Sequence, residues 1–115
     1  MQVAVIGTGY VGLVTGTCLA ELGNKVTCID VDQQKVDALS RGEVPIYEPG
    51  LDKLLDNNIE HSRLFFTTNL KEGVRDAHIV FLALPTPSTE NGSANLSYIK
   101  EVCEKLGPLL GDYTV

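Results

Sequence analysis

Short apolar runs alternate along the chain with segments of helical spacing. Gln2 to Ile6 is an almost continuous apolar run, as expected of a parallel strand buried on both faces. From Tyr10 to Leu22, the apolar residues Val11, Val14, Cys18, Leu19 and Leu22 recur at a helical spacing, and Gly23-Asn24 stops that helix. Lys25 to Ile29 is a second run, rich in β-branched residues, ending at Asp30. Asp32 is placed to cap the next helix, with Lys35 at its third position, Val36 and Leu39 on the inner face and Arg41-Gly42 as its end. A loop with Pro45 and Pro49 leads to a short helix, Leu51 to Asn57, closed by Asn57-Asn58. Arg63 to Thr67 reads as a strand and Leu70 to Arg75 as a short helix capped by Asn69. His78 to Leu84 carries the strongest buried-strand pattern after the first, and Pro85-Thr86-Pro87-Ser88 breaks it. A polar loop follows, then a helix from Leu96 to Leu109 capped by Asn95 or Ser97, and Tyr113-Thr114-Val115 opens as another strand.

Strands alternating with helices predict an α/β fold: a Rossmann-like, doubly wound parallel sheet with helices on both faces. The last residues break off at the start of a fifth core strand, so residues 1–115 are expected to be the N-terminal domain of a longer chain.

Composition narrows the partners. A length of 115 residues suits one domain with one sizeable core. The net charge of −6, with no cluster of Lys or Arg, argues against nucleic acid or an anionic membrane as the main partner. An anionic ligand stays possible, because a helix N-terminus holds phosphate without basic side chains. Cys18, Cys28 and Cys103 form neither a disulfide framework nor a zinc pattern and read as small buried apolar residues. Their scatter, a first strand that starts at once and the lack of any membrane-spanning apolar stretch lead to the expectation of a cytoplasmic protein. His61 and His78 have no partners at metal or triad spacing, so no metal site and no catalytic residue is assigned.

The chemistry-bearing stretch lies between the first strand and the first helix. Gly7, Gly9 and Gly12 have the G-x-G-x-x-G spacing. Gly7 suits a tight turn, Gly9 a close backbone approach to a pyrophosphate, and Gly12 close packing of helix on strand; the bare spacing also fits a simple strand-to-helix turn. Asp30, 18 residues beyond Gly12, ends the second strand near the spacing at which an acid reaches the adenosine ribose. It can accept from the ribose hydroxyls and repel a 2′-phosphate. No arginine follows it until Arg41, which favours NAD over NADP. Alternatively, Asp30 is a cap or turn residue. Lys35, in the first turn of the second helix, reads from its position as a solvated surface lysine or as a contact to ribose or phosphate. Thr86 sits between two prolines past the fourth strand, where open parallel sheets gather ligands, or it belongs to a stiff loop without a ligand. Tyr47-Glu48-Pro49-Gly50-Leu51 reads first as a turn ahead of a helix.

Taken in order, Gly7-Thr8-Gly9-Tyr10-Val11-Gly12-Leu13, Asp30-Val31-Asp32, Pro45-Ile46-Tyr47-Glu48-Pro49-Gly50-Leu51 and Leu84-Pro85-Thr86-Pro87 resemble the N-terminal domain of the UDP-glucose/GDP-mannose dehydrogenase family. The resemblance covers the whole chain, and the tyrosine before Glu48 is more like the members that use UDP-glucose. It implies oxidation of a sugar C6 alcohol to a carboxylate with two NAD per turnover. It implies cofactor contacts from Gly7, Gly9, Gly12 and the backbone of Tyr10 and Val11 to the pyrophosphate. Asp30 and Lys35 would meet the adenosine side, and Thr86 the nicotinamide half. The family's nucleophilic cysteine, catalytic lysine and aspartate and most sugar-nucleotide contacts belong to later segments, as do the contacts that make dimers or larger assemblies. The fragment alone is therefore expected to be inactive. Another nucleotide-sugar dehydrogenase, acting on GDP-mannose or a UDP-N-acetylhexosamine, and a non-enzymatic NAD-sensing module are the alternatives.

Overall fold

The computed structural model describes residues 1–44, 48–84, 97–110 and 114–115. Four strands, β1 (Gln2–Ile6), β2 (Lys25–Ile29), β3 (Leu64–Thr67) and β4 (Ile79–Leu82), form one sheet in the order β3-β2-β1-β4. Every pairing is parallel. The register sets Ile6 beside Ile29 on one side and Leu82 on the other, so three strands end level with one another. The helices are α1 (Tyr10–Glu21), α2 (Gln33–Ser40), α3 (Leu51–Glu60), α4 (Leu70–Val74) and α5 (Ser97–Leu106), with a 3-10 turn at Gly107–Leu109.

The pleat divides the core in two, because successive strand residues face opposite ways. Val3, Val5, Val26, Cys28 and Leu64 pack with Leu13 of α1, Leu39 of α2 and Leu51 and Leu55 of α3. Ala4, Ile6 and Ile29 pack on the other face with Val74 of α4 and Leu106 of α5. The doubly wound α/β sheet anticipated from the alternation is thus present. Asp32 caps α2, accepting from the N–H groups of Gln34 and Lys35, and Asn69 caps α4 through Glu72 N–H.

Several local expectations are corrected. Of the apolar residues read along α1, Val14 and Leu19 pack against the core, but Val11, Cys18 and Leu22 are exposed, and the buried positions are Gly12, Leu13, Gly16, Thr17 and Ala20. The cause is close approach. A Cβ added at Gly16 would stand 2.7 Å from the Cys28 sulfur, so α1 lies on β2 with room mainly for small side chains. Of the three cysteines only Cys28 is buried, its thiol pushed up to about 12 by that burial; Cys18 and Cys103 face outward.

Helix α3 does not close at Asn57-Asn58 but runs to Glu60. Asn58 is fully buried. Its amide nitrogen donates to the Leu54 carbonyl at 2.7 Å and to Glu21 Oε2 at 2.8 Å, and its oxygen accepts from Arg63 Nε at 2.9 Å. A residue that ordinarily breaks helices stays inside this one because tertiary partners satisfy its side chain.

Strand β4 is shorter and more exposed than its pattern predicted: Phe81 and Leu82 keep 39% and 40% of their surface. It is the outermost of the four strands on its side of the sheet. Val115 continues the sheet there, donating to the His78 carbonyl at 2.9 Å and accepting from Val80 N–H at 2.7 Å. His78 has a structural place at the foot of β4, where its Nδ1 accepts from Gln2 N–H at 3.1 Å. Helix α5 gives way to the 3-10 turn at Gly107, sooner than the Leu109 end expected. The expected caps divide: Ser97 is the first helical residue, and Asn95 lies outside the described residues.

Candidate cofactor site

Strand β1 delivers the chain to the carboxyl edge of the sheet, where Gly7 N–H bonds the Ile29 carbonyl at 2.7 Å. Gly7 then turns with φ of +105°, a conformation that L side chains rarely adopt, and a Cβ there would collide with the Ala83 carbonyl. Gly12 lies in the first turn of α1, and a Cβ on it would collide with the Gly7 carbonyl. Gly9 differs from both. Its φ of −70° and ψ of −168° are extended backbone that any residue adopts, and among the described residues a Cβ on it would meet nothing within 4 Å. Neither the backbone nor a neighbour requires glycine at this position. The space in front of Gly9 belongs to whatever comes to lie there.

Gly9 is also the N-cap of α1, and no side chain caps that helix. No acidic residue stands in its first turn. The first N–H groups of α1 and the positive end of its dipole therefore face outward, available to an anion.

Asp30 closes one side of this turn. Its Oδ2 accepts from Thr8 N–H at 3.0 Å and from the Thr8 hydroxyl at 2.6 Å, and Oδ1 accepts from Asp32 N–H at 3.0 Å. The Lys35 ammonium stands 3.7 Å from Oδ2. Burial by itself pushes the Asp30 carboxyl up. The Thr8 hydroxyl, the N–H groups of Asp32 and Thr8, and Lys35 outweigh it and leave the group below the ordinary aspartate range. The carboxylate is therefore charged at neutral pH. Oδ1 carries the lighter load of donors and is the oxygen better placed to accept from a ligand hydroxyl.

A cleft of about 1190 Å³ runs along the carboxyl ends of the strands. Gly7, Gly9, Tyr10, Val11, Asp30 and Lys35, all anticipated from the sequence, line it. Gly12 does not; it sits behind the turn, setting the distance of α1 from β1. Thr86 and Tyr47 lie outside the described residues. The rest of the lining mixes apolar residues, Leu70, Leu84 and Val102, with the charged Glu101 and Lys105 of α5.

Thr8 is the residue that sequence reasoning missed. It is fully buried and fixes Asp30 by two hydrogen bonds. Aligning the two strand ends, Ile6 with Ile29, brings the turn that follows β1 alongside Asp30 and is the signal that finds it. The Glu48 turn also does more than turn the chain. Glu48 Oε2 accepts from the Tyr10 hydroxyl at 2.8 Å, and that bond together with the carboxylate charge raises the phenol above its ordinary range.

Among the described residues no helix is long and apolar enough to cross a membrane. Over residues 1–115 the sequence matches the profile of the UDP-glucose/GDP-mannose dehydrogenase family, NAD binding domain. It is 52% identical to the UDP-glucose 6-dehydrogenase of Pseudomonas aeruginosa over 110 residues, 96% of this chain and 24% of that protein. It is 46% identical to a UDP-glucose 6-dehydrogenase of Bacillus subtilis, over 99% of this chain and 25% of that one. The fold superposes with a TM-score of 0.89 on the GDP-mannose dehydrogenase of P. aeruginosa, solved as a ternary complex, at 40% identity, covering 93% of this chain and 24% of that structure. The chain thus spans about a quarter of the length of the relatives it matches.

Proposed function

The chain belongs to the UDP-glucose/GDP-mannose dehydrogenase family as its NAD-binding domain, and from that premise we propose that the full-length protein is a UDP-glucose 6-dehydrogenase. It oxidises the C6 alcohol of UDP-glucose to the carboxylate of UDP-glucuronate. NAD supplies the hydride acceptor, twice per sugar.

The residues that line the cleft fit that cofactor. The open face of Gly9 receives the pyrophosphate, and the backbone N–H groups that open α1 hold its charge. Asp30 accepts from the adenosine ribose hydroxyls, kept in place by Thr8 and Asp32. Lys35 lies on the adenosine side. Thr86, outside the described residues, is assigned to the nicotinamide half by the family resemblance alone. Leu70, Leu84 and Val102 offer apolar surface elsewhere in the cleft. The single observation that carries this reading is Gly9, a glycine whose absent side chain makes room for no neighbour among the described residues.

UDP-glucose is preferred as substrate because relatives of that name share 52% and 46% identity, against 40% for the GDP-mannose dehydrogenase structure. The 115-residue chain alone is inactive in this account, since the reacting side chains are supplied by later segments. The test is NADH production by the full-length protein with UDP-glucose, GDP-mannose and UDP-N-acetylhexosamines. Two NADH per UDP-glucose, with the highest kcat/KM of the set, is the expected result. A higher kcat/KM for another nucleotide sugar overturns the substrate assignment, and NAD binding without turnover of any of them overturns the enzyme.

A further inference from the structure

The stretch Glu48-Pro49-Gly50-Leu51 supplies none of the cofactor contacts above, yet it reaches the glycine turn. Leu51 is buried at the start of α3, in the same core cluster as Leu13, which lies one helical turn beyond Tyr10. Gly50 turns the chain with φ of +85°, and Leu51 N–H donates to the Glu48 carbonyl at 3.1 Å. From that turn the Glu48 side chain meets α1, where its Oε2 accepts from the Tyr10 hydroxyl at 2.8 Å. The starts of α1 and α3 are thus joined twice, through the core at Leu13 and Leu51 and at the surface by this bond. An exposed bond adds little to stability, so its effect falls mainly on the ring it holds. Tyr10 is the first residue of α1, follows Gly9 and lines the cleft, whereas Glu48 does not line it. The tip of the ring is therefore drawn out of the cleft, toward α3.

We propose that Glu48 is a positioning residue for the cofactor site: by holding the Tyr10 hydroxyl it keeps the aromatic ring turned toward α3 and off the start of α1. The inference rests on the reading that the pyrophosphate meets the first N–H groups of that helix. An exposed aromatic side chain has several staggered rotamers open to it. Next to Gly9, Tyr10 is the side chain best placed to swing across the uncapped helix start. Tied to Glu48 it keeps one rotamer, so an arriving cofactor neither displaces the ring nor pays to order it. The charge of Glu48 works against this role, because a carboxylate repels an incoming pyrophosphate. What the site needs from residue 48 is an acceptor for the phenol, not a negative charge. The motif ahead of α3 thereby acquires a task in cofactor binding without touching the cofactor.

The test is calorimetric titration of the full-length protein with NAD. Glu48→Ala is expected to weaken NAD about fivefold, the scale of ordering one side chain. Glu48→Gln keeps an acceptor for the hydroxyl and is expected to stay within about twofold of the parent. In a Tyr10→Ala background, where there is no ring to hold, Glu48→Ala is expected to cost nothing further. A second readout needs no cofactor. The Tyr10 phenol, followed as the ultraviolet difference from the matching Tyr10→Phe variant, is expected to ionise at lower pH in Glu48→Ala than in the parent. Unchanged NAD affinity in Glu48→Ala overturns the proposal, as does an equal loss in the Tyr10→Ala background, a Gln variant as weak as the Ala variant, or a phenol that titrates alike with and without Glu48. A parent that does not bind NAD overturns the cofactor reading instead. Should Glu48→Ala fail to fold, Tyr10→Phe breaks the same bond and keeps the ring. It is expected to weaken NAD by a similar factor, and a folded Phe variant with the parent's affinity contradicts the positioning role.

Discussion

Gly9→Ala is expected to leave the fold standing and to weaken NAD at least about 30-fold, roughly 2 kcal/mol, the worth of one or two charge-assisted hydrogen bonds. The backbone at Gly9 is ordinary extended chain, and a Cβ would meet no atom of the described residues within 4 Å. The change at an uncapped helix start costs stability of no more than about 1 kcal/mol. The methyl group instead enters the space through which a pyrophosphate reaches the N–H groups of α1. Isothermal titration and a thermal melt of the same variant separate the two quantities. Parent-like affinity at an unchanged melting temperature would remove the pyrophosphate from this turn.

Gly12→Ala is expected to do the opposite, acting first on the fold. Alanine in a helix is favoured over glycine by about 1 kcal/mol, so an isolated helix would gain from the change. Here the added methyl collides with the Gly7 carbonyl and stands 3.1 Å from the Ala83 side chain. Both neighbours belong to the turn and to the segment just past β4, and neither is a flexible side-chain tip. Overpacking of that kind leaves a net loss of about 2–3 kcal/mol, a fall in melting temperature of roughly 10 °C. A melting temperature equal to or above the parent's would show that helix propensity decides at this position and that α1 is free to move off the turn.

The contrast between these two glycines shows what the sequence carried and what it hid. The spacing of Gly7, Gly9 and Gly12 was legible, because a strand, a turn and a helix must meet within seven residues. Asp30 was legible for the same reason, as the polar end of an apolar run. The spacing of apolar residues along α1 locates only part of its packed face, Val14 and Leu19, because periodicity counts large apolar residues, whereas the most deeply buried positions are Gly12, Gly16 and Ala20 with Leu13 and Thr17. Small residues are silent in such a count, and only the closeness of β2 gives them meaning. Asn58 misled in the other direction. Asparagine beside asparagine reads as a helix stop until Glu21 and Arg63, distant in sequence, supply its partners. Thr8 escaped notice because its role depends on the register between β1 and β2, which no single stretch displays. Glu48 was likewise visible as a turn and invisible as the acceptor for Tyr10.

The most direct test of the cofactor site is an amide ¹H–¹⁵N titration of this chain with NAD. The largest shifts are expected on Thr8, Gly9, Tyr10 and Val11, and on the amides from Asp30 to Lys35, with small changes along α3. Shifts concentrated on α3 and β3, with the glycine turn unmoved, would contradict it.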